Sequence, residues 1–217
     1  MLEAIIFDMD GVLVDSEKLY RKIFKSVTEE LGGVFKDELF RSMMGIPESK
    51  GLPVFHKRAG IKAPVHVFIE KFNEMKSKVF QSLELNAGIH QILEFSKNKG
   101  YKLAIATSTS RSDTVSRLES LGILGYFDVI VCGDEVENPK PSPDIYLKAL
   151  RELSTEPSEV VVFEDSKNGI LSARNAGVKR IFGILHEWND EKELLEAGAL
   201  KVFKLPEDLS NILKELS

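Results

Sequence analysis

The chain has 217 residues, a single cysteine and a formal net charge of −5, which is room for one sizeable domain or a domain plus a smaller one. Mild acidity excludes the clustered basic face of a nucleic-acid binder, no apolar run reaches the length of a membrane span, and Cys132 alone cannot form an internal disulfide. The chain opens directly in an apolar strand, with no basic, apolar and cleavage segments in series, so a cytoplasmic setting is expected.

The first predicted element is Ala4-Ile5-Ile6-Phe7, a continuous apolar run suited to a central parallel strand buried on both faces. It stops at Asp8-Met9-Asp10-Gly11. In extended chain, positions two apart point to the same side, so Asp8 and Asp10 would share a small space at the strand's carboxyl end. Two anions that close repel unless a cation or a proton relieves them. One Asp after a strand reads as a turn or a helix cap; the pair asks for a further reason.

Next comes an amphipathic helix over 16–31, with Leu19, Ile23, Val27 and Leu31 on one face and Gly32-Gly33 as its stop. Short helices are predicted over 36–44 and 48–59, and a long one over 64–83 with Phe68, Phe72, Met75 and Val79 on one stripe. No strand is expected between Asp15 and Asn86. From Ala87 the rhythm changes: helix 88–97, strand 102–106, helix 112–121, strand 128–132, helix 142–153, strand 159–163, helix 168–176, strand 180–185 and a short strand near Val202, the last two each followed by a helix. Ser142 is expected to cap the helix that starts at Pro143. Alternation of this kind predicts an α/β fold, a Rossmann-like parallel sheet with helices on both faces. Residues 1–14 and 87–217 would form that core, and 15–86 an all-helical insert.

In an open parallel sheet the strands' carboxyl ends share one edge, where ligands bind. Asp8 and Asp10, Thr107, and Glu164-Asp165 each follow a different apolar strand. The carboxylates offer oxygen ligands to a hard cation such as Mg²⁺. Thr107 reads equally as a helix N-cap or as the start of a turn whose N–H groups hold a phosphate oxygen. Lys140, set between Pro139 and Pro141, is either a solvated lysine or an ammonium aimed by a stiff loop. Together they form an inventory for phosphoryl transfer: a carboxylate that attacks phosphorus, a neighbouring acid, a hydroxyl, a lysine and a metal site.

These residues, taken in order, resemble the four motifs of the haloacid dehalogenase-like superfamily: Asp8-Met9-Asp10-Gly11-Val12-Leu13-Val14-Asp15-Ser16-Glu17, then Thr107, then Lys140-Pro141-Ser142-Pro143-Asp144, then Glu164-Asp165-Ser166. The insert resembles the cap of the branch that holds β-phosphoglucomutase and many sugar-phosphate phosphatases. The resemblance implies Asp8 as nucleophile and metal ligand, and Asp10 as general acid/base with its main-chain carbonyl on Mg²⁺. It also implies Thr107 and the N–H of Ser108 on the phosphoryl group, Lys140 neutralising both, and Glu164 and Asp165 completing the metal site. Mn²⁺ or Co²⁺ could stand in for Mg²⁺. Glu17 and Gly45, the latter in the loop Gly45-Ile46-Pro47-Glu48-Ser49-Lys50, are the candidate substrate contacts at the insert. Dehalogenation is disfavoured, because dehalogenases of this family lack the second aspartate.

Whether water or a sugar hydroxyl accepts the phosphoryl group depends on the cap. Where β-phosphoglucomutase has an assisting histidine and arginine, this chain has Tyr20 and Glu48. A hydrolase for small phosphorylated sugars or polyols, acting as a monomer without nucleic acid or membrane, is therefore the expected function, with the mutase as the alternative. A phospho-aspartate receiver module is the remote alternative. It conflicts with an insert of roughly 70 residues after the first strand and with the order of the acidic motifs. His56, His66, His90 and His186 show no ligand spacing, and Lys71, Lys76 and Lys78 read as a solvated face.

Overall fold

The computed structural model describes residues 1–44 and 46–217, so the expected contact at Gly45 lies outside the described residues. Six strands form one parallel sheet in the order β3-β2-β1-β4-β5-β6: β1 (Ala4–Phe7), β2 (Lys102–Ala106), β3 (Val129–Val131), β4 (Val160–Glu164), β5 (Arg180–Leu185) and β6 (Lys201–Lys204). Strand β1 lies between β2 and β4, with Phe7 level with Ile105 on one side and Phe163 on the other. The strand order reverses there, and such a switch point opens a crevice at the carboxyl ends.

Alternate β1 residues feed two cores, as period-2 geometry requires. Ile5 and Phe7 pack with Ile89, Ile92 and Leu93 on one face, and Ala4 and Ile6 pack with Tyr146, Ala149, Ile170 and Ala173 on the other. The helices are α1 (Glu17–Glu30), α2 (Asp37–Arg41), α3 (Glu48–Arg58), α4 (Val65–Val79), α5 (Ile89–Asn98), α6 (Arg111–Ser120), α7 (Asp144–Leu153), α8 (Lys167–Asn175), α9 (Glu191–Ala197) and α10 (Leu209–Glu215). Among the described residues between 15 and 86 there are helices and no strand. This insert has its own core, in which Phe24 packs 4.4 Å from Phe55 and 4.9 Å from Phe72 between ring centroids. Helix α3 accommodates Pro53 in its interior.

One helix start differs from expectation. Helix α7 begins at Asp144 with Pro143 at its N-cap and no side-chain cap. The Ser142 hydroxyl donates to the Asp144 carboxylate at 2.6 Å instead of accepting from the backbone.

Candidate active site

Strand β1 delivers Asp8 straight into the crevice, its N–H bonded to the Phe163 carbonyl at 2.9 Å. The Lys140 ammonium is buried and donates to Asp8 Oδ1 at 2.6 Å, to Glu164 Oε1 at 2.6 Å and to the Ala106 carbonyl at 3.0 Å. Lys140 is thus no solvated surface group: only 2% of its side chain is exposed. Among the described residues, the hydrogen bond that the Asp8 carboxylate accepts falls on Oδ1.

Glu164 ends β4. It is fully buried, and both its oxygens are taken. Oε1 accepts from Lys140 and from the Tyr146 hydroxyl, and Oε2 from the N–H groups of Asp165 and Ser166 and the Ser166 hydroxyl. A Cβ at Gly169 of α8 would stand 1.8 Å from Oε1, so the carboxylate packs flat against helix backbone. Glu164 thus anchors the Lys140 ammonium that reaches Asp8. Adjacent residues at a strand end face opposite sides, which sends Glu164 towards α7 and α8 and leaves Asp165 for the crevice.

Asp165 meets β1's turn closely. Gly11 has φ +81°, and a Cβ there would lie 2.1 Å from Asp165 Oδ2, so only glycine fits. His186 Nε2 lies 2.9 Å from the same oxygen, and the Asn189 amide donates to the Asp165 carbonyl at 2.8 Å. His186, which shows no ligand spacing in the sequence, braces this carboxylate. Asp10 Oδ2 accepts from Thr109 Oγ1 at 2.7 Å, and Oδ1 pairs with Arg117 at 3.0 Å. Thr107 is buried after β2, its hydroxyl accepting from the Thr109 N–H at 3.1 Å. It lines the crevice together with Ser108, Asp8, Asp10, Lys140, Asp165 and Glu17.

The electrostatics of the site are short of positive charge. Burial pushes the Asp8 carboxyl well above its ordinary value, against the pull of Lys140, and Glu164, Asp165 and Asp10 add to the rise. Burial raises Asp165 too, against His186. Asp8 and Glu164 hold the Lys140 ammonium above its ordinary value in spite of burial. Two buried carboxylates, Asp8 and Glu164, thus share one lysine, and the buried Asp165 faces His186. Among the described residues no group of three acidic, histidine or cysteine side chains could enclose a metal. Two carboxylates facing one crevice, Asp8 and Asp165, fit instead the habit of Mg²⁺, which takes few protein oxygens and keeps several waters. The donor set and the charge deficit both fit such an ion. Glu17 is pushed well above the ordinary range by burial, then by Asp165, Asp10 and Asp8, which favours its protonated form.

The crevice measures about 380 Å³ and is roofed by the insert's Phe24, Phe40, Met43, Met44, Ile46 and Leu52. Glu48 and Ser49 also line it. The Tyr20 hydroxyl donates to Glu48 Oε1 at 2.7 Å. Lys76 departs from the expected solvated face: its side chain is 13% exposed, and it bridges Glu48 and Asp113 at 2.8 Å each. Sequence reasoning missed Arg117, Tyr146, Thr109 and Asn189. Each acts through a contact with a residue remote in the chain, and none sits in a local pattern that marks it.

Comparison with known proteins agrees with this geometry. A family model described as haloacid dehalogenase-like hydrolase matches residues 5–182. A Thermotoga maritima protein named phosphorylated carbohydrates phosphatase is 47% identical over 99% of this chain and 100% of its own. A crystal structure from Thermotoga maritima, provisionally named as a beta-phosphoglucomutase, is 46% identical with a TM-score of 0.83 over 100% of both chains. The structure of CbbY from Rhodobacter sphaeroides in complex with phosphate is 30% identical with a TM-score of 0.79 over 94% of both chains.

Proposed function

The chain belongs to the haloacid dehalogenase-like hydrolases, and on that premise we propose that it is a phosphatase of small phosphorylated carbohydrates working through an aspartyl-phosphate on Asp8. Residues 1–14 and 87–217 serve as the catalytic core and 15–86 as its cap. The observation that carries the reading is the buried Lys140 ammonium on Asp8 Oδ1, in the crevice that Asp10, Thr107 and Asp165 also line. The Thermotoga maritima relative's name supplies the substrate class.

Asp8 attacks phosphorus in line, and the bond to the leaving oxygen breaks. Asp10, as the acid, gives that oxygen its proton. The resulting Asp10 carboxylate then takes a proton from water as the water attacks the acyl phosphate, which releases inorganic phosphate and restores Asp8. Thr107 and the Ser108 N–H hold the phosphoryl oxygens, and Lys140 offsets their charge. A bound Mg²⁺, held by Asp8, Asp165 and the Asp10 carbonyl, would supply further neutralisation of the transferring group. The apolar roof limits the access of bulk water to the reacting centre.

Hydrolysis is favoured over mutation because Glu48 lines the crevice with a carboxylate, which repels the second phosphate of a bisphosphate. A phosphate-release screen over sugar and polyol phosphates tests this, beside an assay of glucose 1-phosphate to glucose 6-phosphate conversion with added bisphosphate. Net phosphate release is the expected result, and isomerisation without release would make the protein a mutase. EDTA should stop turnover and Mg²⁺ restore it. Full activity after chelation would contradict the ion assigned to Asp8 and Asp165.

A further inference from the structure

Arg117 lies on α6, yet its guanidinium is buried beside the proton-carrying carboxylate, with 8% of the side chain exposed. Nη1 donates to Asp10 Oδ1 at 3.0 Å, while Nη2 donates to the Tyr20 hydroxyl at 3.0 Å. The same group packs 4.2 Å from the Phe80 ring centroid. Tyr20 and Phe80 belong to the two passages by which the chain enters and leaves the helical insert. Beyond Tyr20 the contacts continue to Glu48 at 2.7 Å, a residue that lines the crevice, and from Glu48 through Lys76 back to Asp113 of α6. One guanidinium therefore touches Asp10 and both hinge passages at once.

A carboxyl that must deliver a proton has to point at the leaving oxygen within hydrogen-bond reach. A planar, always charged fork is suited to fixing such a direction, because its donors keep a set geometry. We infer that Arg117 is the positioning residue for Asp10, aiming the carboxyl and tying its aim, through Tyr20 and Phe80, to the placement of the insert over the crevice. The inference rests on the phosphatase reading in which Asp10 is the acid. Arg117 itself touches no reacting atom; it acts through Asp10. A plain structural ion pair between helix and loop would hold the same residues together but would have no preference among substrates.

The test compares phenyl phosphate with p-nitrophenyl phosphate, esters of similar shape. Nitrophenolate leaves without a proton, whereas phenolate leaves better when protonated. Full-length Arg117→Met, Arg117→Lys, Tyr20→Phe and Asp10→Asn are assayed with Mg²⁺, and the readout is the ratio of kcat/KM for the two esters, which reports the displacement in which the leaving group departs and not the hydrolysis of the acyl phosphate common to both. Asp10→Asn should lower the phenyl to p-nitrophenyl ratio most. Arg117→Met should lower it by about tenfold, within the range that general acids contribute. Arg117→Lys should recover part of the loss, since an ammonium can still reach Asp10. Tyr20→Phe should lower the ratio by less, and it carries the test if Arg117→Met does not fold. An unchanged ratio in the Arg117 and Tyr20 variants, or equal losses on both esters, overturns the positioning role while Asp10→Asn upholds the acid. An unchanged ratio in Asp10→Asn overturns the acid and the positioning role together.

Discussion

Replacing Asp8 with asparagine should abolish phosphomonoester turnover, by at least about a thousandfold, while leaving the protein no less stable than wild type. The loss follows from removing the nucleophile that splits the reaction into two displacements. The stability follows from the buried charges. Burial and three neighbouring carboxylates raise the Asp8 pKa in the folded chain. A group raised in this way contributes stability at low pH and loses it as pH climbs through the folded pKa, so wherever Asp8 is ionised its charge weakens the metal-free fold. The neutral amide of Asp8→Asn would remove that penalty, and Lys140 would keep Glu164 as its partner at 2.6 Å. The checks are steady-state kinetics and a thermal melt without metal. Activity within tenfold of wild type would remove Asp8 as nucleophile, and a melting temperature well below wild type would contradict the charge argument.

The opposite substitution in the same cluster should be costly. Lys140→Met removes the lysine that contacts both Asp8 and Glu164. Breaking a buried pair by deleting one partner costs about 3–5 kcal/mol, because the remaining charge is left uncompensated. For a chain of this size that amounts to a fall in melting temperature of roughly 10 °C. Turnover should fall as well, since among the described residues Lys140 is the cation aimed at Asp8 Oδ1. The deficit should shrink as pH falls, because protonating an orphaned carboxyl removes the charge that burial penalises. A Lys140→Met protein that melts within a degree or two of wild type at neutral pH would show that the cluster is neutralised in some other way.

Much of this site is legible in the sequence, for reasons that belong to particular residues. Four apolar residues ending in Asp8-x-Asp10-Gly11 announce a buried strand and an unusual meeting of charge, because period-2 geometry and Coulomb repulsion act locally. Thr107 and Asp165 could be placed on the same rim once the strands were seen to alternate with helices. The division of labour between Glu164 and Asp165 could not be read, because adjacent acids look alike in a sequence. Only the register of β4 and the approach of Gly169 decide which one turns away. Arg117 was hidden for a different reason. On a polar helix face between Ser116 and Glu119 it resembles any solvated arginine, and its contact with Asp10 spans 107 positions. His186 gave no metal-ligand spacing because it braces a carboxylate through space, from the end of β5. Ser142 gave a proper capping signal that the nearby Asp144 carboxylate outcompeted.

The central claim is that the phosphoryl group passes through Asp8. The direct measurement mixes wild-type enzyme, Mg²⁺ and substrate, quenches in acid during turnover, reduces with borohydride and maps the peptides by mass spectrometry. An acyl phosphate is reduced to an alcohol, so homoserine at position 8, absent without substrate, is the result expected. Unmodified aspartate at position 8 in enzyme quenched while releasing phosphate, or reduction at another carboxylate, would contradict the account.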